Sequence, residues 1–180
     1  MEVCFATGNA GKFREAQQIM DINIIQEKLE LPEYQGTPEE VARAKAEHAY
    51  ALLKKPVFVD DTGLAFNALH GMPGIYIKHF LDALGHEKLV RILADFDDKT
   101  AQAMCIIGYC DGKETKTFSG SVSGTIVMPR VMEGTFAHGW DPIFQPEGYT
   151  KTYGELPPEE KNAISHRRQA LMQFNAFLKN

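Results

Sequence analysis

Pro56-Val57-Phe58-Val59-Asp60-Asp61-Thr62-Gly63-Leu64 is the stretch that decides how this chain reads. Three large apolar residues, two of them β-branched, predict a buried strand. Asp60 and Asp61 are expected to end it, and Thr62-Gly63 to turn the chain away. In open α/β sheets, ligands bind in the crevice beyond the carboxyl ends of strands. Adjacent carboxylates repel and are costly to desolvate, so they need water, a cation or donors nearby. One reading of the pair is a chemical centre holding Mg2+; the other is a solvated pair opening a turn.

On the N-terminal side, Glu2-Val3-Cys4-Phe5-Ala6 reads as a first strand. It runs into Thr7-Gly8-Asn9-Ala10-Gly11-Lys12 and a helical pattern to about Met20. Strand, Gly-containing turn and helix together point backbone N–H groups at an anion. The turn is not a Walker A loop, which needs four residues between its glycines and Ser or Thr after the lysine; here two residues intervene and Phe13 follows. Residues 23–30 predict a second strand and residues 31–36 a proline-marked loop. Thr37-Pro38-Glu39-Glu40 then opens a helix with an N-cap, a proline at its first position and a capping box. Val41, Ala44, Ala49 and Leu52 form its apolar stripe. Lys45 falls on or beside that stripe, so it must snorkel or meet an anion.

On the C-terminal side, residues 65–71 are apolar and a turn follows at 71–74. Residues 75–84 and 86–96 predict two helices joined at Gly85, with Lys78 on the first. Residues 101–109 form a strand, Asp111-Gly112 a hairpin turn, and residues 116–122 and 124–128 continue an antiparallel pattern. A βαβα start and a meander middle predict an α/β fold, a mixed twisted β-sheet flanked by helices, in two lobes of a single domain over residues 1–180. Residues 134–149 are rich in glycine and aromatics, including Phe136, His138, Trp140 and Phe144. Such a loop caps a core or makes a flat-ligand pocket. In the final helix Ile164, Leu171, Phe174 and Leu178 share a face. Arg167 leans toward that face with a buried stem and an exposed head.

Composition sets limits. The 180 residues are 44% hydrophobic and 24% charged, enough to bury a core. A net charge of −5 argues against a broad nucleic-acid-binding surface, though not against a local basic pocket for one small anion. Cys4, Cys105 and Cys110 are an odd set without CxxC spacing, and Cys4 and Cys105 sit in apolar runs. That points to a reducing compartment. With no signal peptide, transit sequence or long apolar span, the expectation is a cytoplasmic protein without a membrane segment. No internal repeat or linker divides the chain.

Taken together, six motifs in register resemble the inosine triphosphate pyrophosphatase family, the non-canonical purine NTP pyrophosphatases. They are TGNAGK from Thr7 to Lys12, LPEYQG from Leu31 to Gly36, DDTGL from Asp60 to Leu64, GIYIK from Gly74 to Lys78, GWDPIF from Gly139 to Phe144, and EKNAISHR from Glu160 to Arg167. The wording of LPEYQG and GWDP is closest to the eukaryotic and archaeal branches. The resemblance implies Mg2+-dependent hydrolysis of ITP, dITP and XTP to the monophosphate and pyrophosphate, in a nucleotide-binding cleft between lobes, by a homodimer. It implies that Thr7, Gly8, Asn9, Ala10, Gly11 and Lys12 cradle the phosphates. Glu33 and Asp61 hold the metal, with Asp61 as proton acceptor, and Thr62 contacts substrate. Lys45, Lys78 and Lys161 line the phosphate pocket, while His138, Gly139, Trp140, Asp141, His166 and Arg167 bind the nucleoside. Two positions depart from the family pattern: Asp60 stands where Glu is usual, and His138 where Phe is usual and expected to stack on the base.

The implied chemistry suits these residue types. A triphosphate needs compensating positive charge, which Lys12, Lys45, Lys78, Lys161 and Mg2+ supply. Mg2+ prefers carboxylates, waters and phosphate oxygens. Water would attack the α-phosphorus in line, with Asp61 orienting or deprotonating it and pyrophosphate leaving. Arg167 is donor-only, so it satisfies a 6-keto oxygen and cannot accept from adenine's 6-amino group. Two other readings are a non-catalytic purine-nucleotide sensor, which predicts ITP binding without turnover, and a phosphotransferase using the Gly/Lys turn.

Overall fold

The computed structural model describes residues 2–133 and 139–179. In chain order the elements are β1 (Glu2–Ala6), α1 (Ala10–Ile19), β2 (Asn23–Glu27), α2 (Pro38–Leu53), β3 (Val57–Phe66), β4 (Pro73–Gly74), α3 (Ile77–Arg91), β5 (Thr100–Cys110), β6 (Thr115–Ile126), β7 (Phe144–Pro146), α4 (Pro158–Ile164) and α5 (His166–Leu178). The strands form one mixed sheet in the order β2-β1-β3-β5-β6-β7, with β4 added on β3. β1 runs parallel to β2 and β3, while β4 is antiparallel to β3 and β7 to β6. The expected α/β class with a mixed sheet and helices is the fold observed.

The chain divides into two compact units. One comprises Met1–Asp61, Cys105–Gly120 and Arg167–Asn180; the other comprises Thr62–Met104 and Ser121–His166. The first unit has two apolar layers, and strand alternation assigns residues to them. Val3 and Phe5 of β1 and Phe58 of β3 pack with Ala16 and Ile19 of α1 and Ala170, Leu171 and Phe174 of α5. Cys4 and Ala6 of β1 and Val57 and Val59 of β3 pack instead with Ala46 and Ala49 of α2. In the second unit Leu64, Phe66, Ile77, Leu89, Leu93, Trp140, Phe144 and Tyr153 share a core. The thiols of Cys4, Cys105 and Cys110 are free and buried. Among the described residues no helix is long and apolar enough to cross a membrane.

Several local expectations need correction. β3 does not end at the acids; it continues through Thr62-Gly63 to Phe66. Leu64 and Ala65 pair with Gly74 and Pro73 of β4. Gly63 permits this, since a Cβ there would lie 2.8 Å from the Gly74 backbone. Residues 116–122 and 124–128 continue into each other as one strand, β6, which stops at Ile126; β7 pairs with its end, Gly124 opposite Pro146 and Ile126 opposite Phe144. β2 stops at Glu27, short of residue 30. Of residues 75–96, Ile77–Arg91 form α3, interrupted by Gly85 at φ 70°, ψ 173°, the expected joint between two helices; the helix ends at Arg91 rather than at Phe96.

α2 has the expected capping box, with Thr37 and Glu40 exchanging bonds. Its buried stripe is Val41, Ala42, Ala46 and Ala49; Leu52 is 55% exposed. The sequence pattern misplaces Ala44 and Leu52 because five alanines in this helix carry little phase contrast. The side that meets the sheet is the one where only small residues fit.

Candidate functional site

The alternation of β3 decides what its two acids do. Asp60 follows the phase of Phe58, toward α1 and α5; Asp61 follows Val57 and Val59, toward α2. The pair that looks like one acidic centre in the sequence is therefore split between two faces of a strand.

Asp60 is nearly sealed, its side chain 1% exposed. Lys12 donates to its Oδ1 at 2.7 Å and to its carbonyl oxygen at 2.9 Å. Arg167 Nε donates to its Oδ2 at 2.7 Å. Arg167 also pairs through Nη1 with Glu15, itself buried on α1. The charges alternate along Lys12, Asp60, Arg167 and Glu15. Burial works to raise the Asp60 pKa, but the Arg167 guanidinium and the Lys12 ammonium prevail and hold its carboxyl well below the usual range. The Arg167 side chain is 11% exposed, so its head is buried in an ion pair, against the expectation of a buried stem with an exposed head.

On the other face Lys45 of α2 donates to Asp61 Oδ1 at 2.8 Å and to Glu33 Oε2 at 3.2 Å. The lysine beside the apolar stripe thus meets its anions within the chain. Burial works to lower the Lys45 pKa; the Asp61 charge and hydrogen bond, with Glu33, outweigh it, so the pKa is raised. Asp61 Oδ2 is buried and has no hydrogen-bond partner among the described residues. Glu33 is mostly exposed, on the loop between β2 and α2. That loop is tied to α2 where the Tyr34 hydroxyl and His48 Nδ1 share a hydrogen bond of 2.9 Å, three residues beyond Lys45. Among the described residues no group of three or more His, Cys, Asp or Glu side chains could hold a metal ion unaided.

The turn after β1 is ordered from within. Thr7 Oγ1 accepts from Asn9 N–H at 3.1 Å. Asn9 caps α1, its Oδ1 accepting from the N–H groups of Gly11 and Lys12 at 2.8 and 3.1 Å. Gly8, Asn9, Ala10 and Gly11 are exposed, as a loop that receives a soluble anion must be. All these groups, with Glu33, Lys45, Asp60, Asp61 and Arg167, belong to the first unit.

The second unit carries the remaining candidates. Thr62 is half-buried on β3, and Lys78 is exposed on α3. Gly139 is exposed at φ +53°, its carbonyl 2.7 Å from His86 Nε2. Trp140 packs edge-on to Phe144, and its ring lies 5.3 Å from that of buried His166; Tyr153 stacks on His166 at 6.0 Å. Trp140, Phe144 and Tyr153 thus belong to the core of the second unit. Asp141 forms an ion pair with Lys161, whose ammonium lies 5.6 Å from the Tyr153 ring centroid. His138 and Phe136 lie outside the described residues.

Three contacts here were not read from the sequence. Glu15 had one signal, its i, i+3 spacing from Lys12 on α1, but a buried carboxylate gains meaning only once Arg167 arrives from a segment 152 residues away. Tyr34 lies on the loop before α2 and His48 on α2, and periodicity does not give the path of that loop. Tyr153 lies outside every motif quoted from the sequence.

A model of the Ham1 family matches residues 3–177. An inosine triphosphate pyrophosphatase from Yarrowia lipolytica is 51% identical over 99% of this chain and 96% of its own length. One from Batrachochytrium dendrobatidis is 46% identical over 99% and 94%. Among solved structures, the Ham1 protein of Staphylococcus aureus is similar with a TM-score of 0.85 and 35% identity, over 99% of this chain and 98% of its own. A HAM1 protein from Coxiella burnetii gives 0.87 and 31% over the same shares.

Proposed function

The chain belongs to the Ham1 family, and from that membership we propose that it hydrolyses ITP, dITP and XTP to the monophosphate and pyrophosphate, clearing deaminated purines from the nucleotide pool. The observation that carries this reading is the meeting of Glu33 and Asp61, from distant segments, on one ammonium, with a buried oxygen of Asp61 left without a donor. A buried carboxylate oxygen in that state costs free energy unless a cation or donor arrives.

Mg2+ fits this donor set: two carboxylates, with water and phosphate oxygens completing the shell. Glu33 and Asp61 would hold it, and when bound it supplies charge neutralisation at the phosphate oxygens. Asp61 orients a water, or takes its proton, for in-line attack on the α-phosphorus; pyrophosphate leaves without a covalent intermediate. Lys12, Lys45, Lys78 and Lys161 screen the phosphate charge, and the exposed turn from Thr7 to Lys12 receives the chain of phosphates. Thr62 contacts the substrate. His138, Gly139, Trp140, Asp141, His166 and Arg167 hold the nucleoside, Arg167 favouring a 6-keto base because it only donates. The buried free thiols support a reducing, cytoplasmic setting. Homodimerisation follows from the resemblance and is checked by light scattering.

The test is a substrate panel with product identification. Pyrophosphate is expected from ITP with Mg2+, and little from ATP; orthophosphate from ITP would mean another bond is cut. Asp61→Asn is expected to abolish turnover while ITP binding, followed by calorimetry, persists. Full activity in that variant would remove Asp61 from the mechanism.

A further inference from the structure

We infer that Asp60 is not a metal ligand but a positioning residue, whose two carboxylate oxygens hold Lys12 and Arg167 in the places from which they meet the nucleotide. The inference rests on the proposed reaction for the roles of those two partners.

The sequence leaves Asp60 beside a metal acid. The strand phase removes it from that role. Its Oδ1 accepts from Lys12, its Oδ2 from Arg167, and its side chain is 1% exposed. Asp61, one residue on, faces α2 and has a buried oxygen without a donor. A cation seeking carboxylate oxygen finds one without a donor on Asp61, whereas both oxygens of Asp60 already face a cation. Lys12 is doubly anchored, since the Asp60 carbonyl also accepts from its ammonium at 2.9 Å. Arg167 is held from two sides, by Asp60 at Nε and by Glu15 at Nη1. A guanidinium fixed at two nitrogens has a fixed plane, which is what a base-reading donor needs. Asp60 thus joins the lysine that ends the phosphate turn to the arginine assigned to the base. It is a single carboxylate acting on both ends of the substrate without touching either.

The experiment compares wild type with Asp60→Asn and Asp61→Asn, measuring kcat and KM for ITP and ATP, and Mn2+ binding to the protein alone by electron paramagnetic resonance. For Asp60→Asn the expected result is a KM for ITP raised about tenfold or more and a narrowed preference for ITP over ATP, since both partners lose their anchor. Mn2+ affinity should stay within about twofold of wild type. Asp61→Asn should lose Mn2+ binding. The proposal is overturned if Asp60→Asn loses Mn2+ as Asp61→Asn does, or if KM and base preference are unchanged. Asp60→Asn leaves two half-buried cations without their shared anion, a charge imbalance that works against folding. Lys12→Met/Asp60→Asn, measured against Lys12→Met, then carries the test: it removes one cation and leaves Arg167 paired with Glu15. Further narrowing of the base preference in the double variant supports the proposal, and an equal preference overturns it. Wild type that releases no pyrophosphate from ITP would instead refute the proposed reaction, a result distinct from either.

Discussion

At the scale of single residues, the two acids of β3 have opposite needs. Asp60 is satisfied by two cations, while Asp61 keeps a buried oxygen unpaired. The Asp60 carboxyl is held below its ordinary range in the folded chain, so it contributes stability above the unfolded aspartate pKa of about 4. That contribution is lost as pH falls through the unfolded value toward the folded one. Wild type is therefore expected to lose stability between about pH 5 and pH 2 more steeply than Asp60→Asn, as read from urea midpoints at each pH. The importance of this pair was legible from two adjacent carboxylates after an apolar run. Its division of labour was not. Reading Thr62-Gly63 as a turn ended the strand too soon, and only a continuing strand fixes which face each acid takes. Glu15 was invisible for a related reason: a buried carboxylate in a helix is explained by its partner, and Arg167 lies at the far end of the chain.

At the scale of elements, the structure depends on close approach. Gly108 of β5 faces α2 so tightly that a Cβ would lie 2.2 Å from the Ala42 carbonyl oxygen. Backbone cannot yield as a side chain can, so Gly108→Ala is expected to cost roughly 1–3 kcal/mol in urea unfolding. The same proximity explains why the buried stripe of α2 consists of Ala42, Ala46 and Ala49 with Val41. The capping box of α2 was readable because it is local, four residues long and made of residue types with one purpose. The path of the loop before it was not. Tyr34 ties that loop to His48, one helical turn from Lys45, and so limits where Glu33 can go. Tyr34→Phe keeps the ring and removes the bond. It is expected to raise the Mg2+ concentration for half-maximal ITP hydrolysis several-fold while the melting temperature moves by only a few degrees, as a single hydrogen bond warrants. An unchanged Mg2+ requirement would deny the tether a role in placing Glu33.

At the scale of the molecule, each unit has its own apolar interior. In the first, Phe174 of α5 is fully buried against Phe58, Tyr109 and Phe118, with ring centroids 5.0 to 5.4 Å away. Phe174→Ala is expected to lower unfolding free energy by about 3–5 kcal/mol in denaturant titration. The α/β class was legible because βαβα periodicity and a meander are both strong signals. The strand β7, which pairs with the end of β6, was not, because three residues are too short to carry a pattern. The segments of the two units also interleave. The unit that begins with β1 is completed only by α5, whereas the unit that begins at Thr62 has all its segments by His166. On the ribosome, then, the half that is started first is finished last. The nascent strands β1 and β3 wait with their α5-facing apolar sides uncovered until the tail of the chain emerges.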